Sequence, residues 1–239
     1  MKTLLIFTAL LLVLGSADCH AETNTPVPAQ SAPPADKHSL AILKALKLSD
    51  GAAETKVQEI IAAQFRALSD WHERNDAQIK PLWNQFNAAR SKNDTAAADA
   101  ALAKIDSVYA TFKPRHDEFL ARLGKVLTPD QVELVKDTLT VNKVQVTFHA
   151  YEEIFPGLTA AQKAVVLQNL KAAREEAIDA SAMAEKSAFF KKYKIKIEEG
   201  YLTAQGYDPK QARKDFAAKQ KPAAAKKSGD QPAQPAAGE

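Results

Sequence analysis

Along the middle of the chain, apolar positions recur alternately four and three residues apart. Ile61, Phe65, Leu68, His72, Asn75, Ile79, Leu82 and Phe86 make one such row. Leu102, Ile105, Tyr109, Phe112, His116, Phe119, Leu123 and Val126 make a second. This spacing is a heptad seam, the mark of helices that bury one stripe against a neighbour. Between the rows, Asn93-Asp94-Thr95 carries turn signals, so the two segments are expected to fold back as an antiparallel hairpin. Facing residues then have position numbers with a near-constant sum, which sets His72 opposite His116 and Asn75 next to Phe112. Pro81 and Pro114 lie inside these segments and should kink them or remove a hydrogen bond.

Further helix starts are marked by local chemistry. In "LTPDQ" (127–131) and "LTAAQ" (158–162), the threonine hydroxyl can cap the backbone and the glutamine can reach back. Pro129 suits a first helical turn, where its missing N–H has no partner to lose. Asp208-Pro209-Lys210-Gln211 repeats the logic after Gly206, and Ser49-Asp50 opens an earlier helix. The stretch 138–155 fits two periods. Val144, Val146 and Phe148 alternate like a strand, whereas Val141, Val144, Phe148 and Tyr151 fit a helix. A lone strand has no partner elsewhere, so the expectation is a helix from Pro129 to about Leu139, an irregular or extended link, and a short helix ending before Pro156. A long helix from Thr159 breaks near Ser181 and continues through Phe190, Tyr193, Ile197 and Tyr201. The fold class is therefore all-α: a long-helix hairpin plus further helices in a bundle.

The ends differ in composition. Lys2, the apolar run Leu4 to Gly15 and small residues before Ala17 or Ala21 have the plan of a secretory signal peptide. Asp18 before Cys19 disfavours a lipid anchor. Cleavage after Ala21 leaves no cysteine, hence neither disulfide nor thiol chemistry. Residues 22–37 and 219–239 are rich in Pro and Ala and are read as disordered flanks of a helical domain at 38–218. The formal charge of +3 is mild. With export, it argues against a nucleic-acid partner. No second apolar run can cross a membrane. The expected location is secreted or periplasmic, and no particular oligomeric state is indicated.

Candidate chemistry is sparse. No nucleophile elbow, phosphate loop or His-Glu-x-x-His is present. Glu175 and Asp179, one turn apart, can form an acid–base pair, or be neutralised at the surface by Arg174 and nearby lysines. Trp71 and Trp83 flank the seam; exposed they offer platforms for sugar rings, buried they pack on further helices. Lys191, Lys192, Tyr193, Lys194 and Tyr201 can hold an acidic saccharide or phosphate, or form a solvated face. His72, Asn75 and His116 form a polar layer that fixes helix register, or the two imidazoles supply half a zinc shell to which His149 or a carboxylate such as Asp76 adds a third ligand. No cofactor is otherwise expected.

"LKLSDGAAETKVQEIIAAQFRAL", "VLTPDQVELVKDTLT", "AREEAIDASAMAEKSAFFKKYK" and "YLTAQGYD" together resemble a family of uncharacterised secreted bacterial proteins, a domain of unknown function met among polysaccharide-degrading bacteria and associated with sugar binding. The resemblance spans roughly 38–217 and implies a helical exported protein with no catalytic residues to carry over. The repeated "LTxxQ" is also similar to the Spy and CpxP periplasmic chaperones. The leading expectation is carbohydrate-associated binding without catalysis. A periplasmic chaperone and a saccharide-acting enzyme using Glu175 and Asp179 are the alternatives.

Overall fold

The computed structural model describes residues 37–227. The expected signal peptide at 1–21, most of the 22–37 flank and the tail after Lys227 lie outside them. Among the described residues every regular element is helical. They run α1 (Lys37–Leu46), α2 (Gly51–Ser91), α3 (Thr95–Ala110), α4 (Lys113–Leu123), α5 (Pro129–Leu139), α6 (Lys143–Ile154), α7 (Ala160–Ala177), α8 (Met183–Ile195), a π-helical segment (Lys196–Leu202) and α9 (Pro209–Lys227).

The starts follow the capping chemistry. Asp50 accepts from the Ala52 N–H at 2.9 Å and opens α2; Asp94 accepts from Ala97 at 3.0 Å and opens α3. Both capping boxes form, Thr128 with Gln131 and Thr159 with Gln162. At α9 the Asp208 side chain accepts from the Gln211 N–H at 3.0 Å, after Gly206 turns the chain at φ +86°. Helix α9 runs on to Lys227, into the stretch assigned by composition to the tail. Alanine, lysine and glutamine are strong helix formers. The link between α5 and α6 is a tight turn in which Val141 and Asn142 adopt φ of 48° and 54°.

Helix α2 packs along α3 and then α4, giving the hairpin. Pro81 is carried inside a continuous α2. The second arm breaks at Thr111–Phe112, and Pro114 sits in the first turn of α4, where it costs no hydrogen bond. Trp71 Nε1 donates to Thr111 Oγ1 at 3.0 Å and fastens the break. The register is the same on both sides of this break. Before it, His72 is level with Tyr109, ring centroids 6.1 Å apart; after it, Gln64 and Ala67 share a cleft with Arg115, Glu118 and Phe119. His72 is thus level with a residue seven positions before His116, and the expected equal-sum pairing of the two histidines does not hold.

Two apolar clusters form the core. One joins α1, the start of α2, α4 and α5 through Ile42, Ile61, Phe119, Leu123 and Val135. The larger joins the rest of α2 with α3 and α6 to α8 through Ile79, Phe86, Ile105, Leu170 and Phe189. Ala177 belongs to the larger cluster and Ile178 to the smaller. The chain therefore touches the smaller cluster at Ile178, where α7 ends, and returns to the larger at Ala180.

Candidate functional site

The end of α7 is where the polar residues converge. The chain leaves the helix at Ala177, runs through Ile178-Asp179-Ala180-Ser181-Ala182 and re-enters α8 at Met183. Carbonyls at a helix C-terminus have no partner within the helix and carry its negative end. Here side chains supply the partners. His72 Nε2 lies 2.8 Å from the Asp179 main-chain oxygen, and Lys186 Nζ donates to the Ala177 carbonyl at 3.2 Å. A carbonyl only accepts, so Nε2 of His72 carries the proton there. Its Nδ1 meets Asp76 Oδ1 at 2.7 Å, and Lys80 holds the other Asp76 oxygen at 2.8 Å. Partial burial pulls the Asp76 carboxyl upward, but the bonds from Lys80 and His72 hold it below its ordinary value.

His116, from α4, reaches the same residue from another side. Its Nδ1 meets Asp179 Oδ2 at 2.9 Å, and its Nε2 lies 3.9 Å from Glu175 Oε2. The two histidines thus do not bond to each other; Asp179 joins them. Burial pushes the His116 imidazolium down, but the bond and charge of Asp179, with Glu175 and Asp117, lift it above its ordinary value. Burial raises the Asp179 carboxyl, against the pull of His116 and Lys186. Burial also draws Lys186 below the ordinary lysine value, against the charges of Asp179 and Glu185. A cluster of buried groups whose proton affinities are moved by burial and by one another is a site candidate on physical grounds.

Two hollows flank this junction. One, of about 480 Å3, is lined by the apolar Phe65, Leu68 and Leu139 and by the polar His72, Glu73, Asp76, Ser181 and Lys186. The second, of about 410 Å3, lies between α3–α4 and α7, where Tyr109, His116, Glu175 and Asp179 meet. The Tyr109 hydroxyl lies beside Glu185 without a hydrogen bond of normal geometry, and burial drives its acidity far below that of a free phenol.

The other sequence candidates are placed as follows. Trp71 and Trp83 are 6% and 7% exposed and pack inside instead of standing as platforms. Trp71 packs on Tyr109 and Phe112, and Trp83 on Phe86 and Phe189. Lys191 donates to Asn87 at 2.9 Å, Lys192 bridges Asp106 and Glu176 at 2.7 and 2.8 Å, and Tyr193 donates to Glu176 at 2.7 Å. Lys194 is half-buried, and Tyr201 packs against the larger cluster. Asn75 donates to the Trp71 carbonyl at 2.7 Å and takes no part in the histidine layer. His149 is exposed on α6, its Nε2 3.5 Å from Glu153. Among the described residues, no group of three His, Cys, Asp or Glu side chains is arranged to hold a metal ion. Glu175 is neutralised by Arg174 and Lys136, but Asp179 is 7% exposed and belongs to the histidines, so the two do not form a surface pair. The sequence carried a signal for this: Asp179 stands among Ile178, Ala177 and Ala180, an apolar setting for a carboxylate.

Residues 34–222 match the family described as protein of unknown function DUF3826. The chain belongs to this family. The matched range takes in all of α1 to α8 and most of α9, and so the whole polar junction. No curated protein matches the chain.

Proposed function

We propose that the protein is an exported, non-enzymatic binding protein for carbohydrate, and that the hollow between α2 and the α7–α8 junction takes the sugar. The observation that carries this reading is the mixed lining. Phe65, Leu68 and Leu139 offer apolar surface, and His72, Glu73, Asp76, Ser181 and Lys186 supply polar groups in the same hollow. A pyranose has the same two aspects, an apolar C–H face and a rim of hydroxyls. Carboxylates accept from hydroxyls, and an ammonium or serine donates to them. The volume of about 480 Å3 falls in the range of small-molecule sites. The support comes from this hollow and not from tryptophan, because both indoles are buried.

The test is calorimetric titration of the full chain with a panel of plant and microbial oligosaccharides, repeated on Glu73→Gln. Glu73 is exposed, so this variant is expected to fold normally. Binding that weakens about tenfold in the variant supports the site, since a hydrogen bond to a charged group is worth roughly that. Binding that ignores Glu73, or no binding to any member of the panel, overturns it.

A further inference from the structure

Lys186 is held differently from Lys136 and Lys192, two other partly buried lysines. Lys136 grips Glu133 and Glu175, both at 3.1 Å, and Lys192 grips Asp106 and Glu176. Lys186 makes no ion pair within 4.0 Å among the described residues, and its hydrogen bond goes to the neutral Ala177 carbonyl at 3.2 Å. Lys186 lines the hollow described above, beside the His72–Asp76 pair and Ser181. Burial favours the neutral amine there, which is the nucleophilic form. Asp179 and Glu185 are near enough to favour its charged form, but neither reaches ion-pair distance and burial outweighs them.

We infer that Lys186 is a nucleophilic amine that condenses with the aldehyde of a small α-hydroxyaldehyde, the open-chain end of a reducing sugar. The inference rests on the reading of this hollow as a saccharide site and names the part of the sugar that is engaged. The step balances without oxidant or reductant. The nitrogen lone pair attacks the carbonyl carbon, and a proton leaves nitrogen as one reaches the oxygen, giving a carbinolamine. The hydroxyl then departs as water with one further proton, and the C=N bond forms. The hydrogen-bonded His72–Asp76 pair lines the same hollow and can relay these protons. The sugar hydroxyls meet Glu73 and Ser181. A non-reducing glycoside has no carbonyl and is bound without the covalent step.

The experiment uses the full chain, D-glyceraldehyde and sodium cyanoborohydride near neutral pH, with peptide mass mapping over time. Cyanoborohydride reduces the imine and fixes the adduct on the lysine that formed it. The expected result is labelling of Lys186 about tenfold faster than of Lys80 or Lys113, whose side chains are 72% and 68% exposed. A parallel calorimetric titration with methyl glycosides, without reductant, reads binding alone. If glycosides bind and Lys186 labels no faster than the exposed lysines, the amine inference is overturned and the saccharide site stands. If Lys186 labels selectively and no glycoside binds, the reactive amine stands and the saccharide site falls. Because the rates are read on the unaltered chain, no variant has to fold. Lys186→Met then serves to assign the adduct, and the labelled peptide must lose its mass gain.

Discussion

His72 donates to the main-chain oxygen of Asp179 at 2.8 Å while His116 binds the carboxylate of the same residue at 2.9 Å. One residue at the end of α7 is thus gripped from α2 through its backbone and from α4 through its side chain. Removing either ring leaves a buried oxygen without its donor, which costs about 2 kcal/mol. His72→Ala and His116→Ala should each lower the urea midpoint accordingly. Because both act on Asp179, the double variant should lose less than the two singles combined. Additive losses in the denaturation curves would mean that the two contacts are independent.

The same pair sets a pH dependence. The folded state raises His116 above its ordinary value of 6.5, so folding favours the protonated ring. That stabilisation is complete below about pH 6.5 and is lost as pH rises through the higher folded value. Asp179, also raised, acts in the same sense at lower pH: its stabilising proton is lost as pH climbs above 3.8. Stability measured by urea at about pH 5.5 should exceed that at about pH 8.5, and His116→Gln should flatten the difference. A wild-type curve that rises with pH over this interval would contradict the assignment.

The parts of the fold that were legible in sequence are those decided locally. The capping boxes at Thr128 and Thr159 need only residues within one turn, and both form. The seam of α2 and the break near Ser181 were likewise written in periodicity. The facing of His72 and His116 was not, because it depends on register carried across a second helix. Pro114 signalled a disturbance, but the helix breaks before it, at Thr111–Phe112, and the residue level with His72 is Tyr109, still in α3. The role of Asp179 lay further out of reach. It depends on where α7 ends relative to two helices more than sixty residues earlier, which no local pattern encodes.

Arg174 supplies a test of a second buried charge. Its guanidinium is 2% exposed and meets Glu133 and Asp137, each at 2.6 Å, tying α7 to α5. Burial pulls it down, yet the bonds to both carboxylates hold its proton above the ordinary value. Arg174→Met fills the space and strands two carboxylates, one of which is already 40% exposed and can rehydrate. A loss of about 2–4 kcal/mol is expected, somewhat under the full cost of breaking a buried pair. Arg174→Lys keeps the charge but not the fork, and should fall between wild type and Met in a thermal or urea melt.

Val141 offers a change in the opposite direction. It sits in the turn between α5 and α6 at φ 48°, a region that crowds a β-branched side chain. The left-handed conformation costs an L-residue about 1–2 kcal/mol relative to glycine. Val141 is 56% exposed, so its side chain returns little by burial. Glycine at this position removes the strain but adds freedom to the unfolded chain, which takes back about 0.5–1 kcal/mol. The balance favours Val141→Gly by up to about 1 kcal/mol, read as a higher urea midpoint with an unchanged slope. Val141→Asn, whose side chain tolerates this region, should gain less, and Val141→Ala should gain least, since it keeps the Cβ that the conformation opposes. If Ala stabilises as much as Gly, the strain does not come from backbone geometry and the explanation fails.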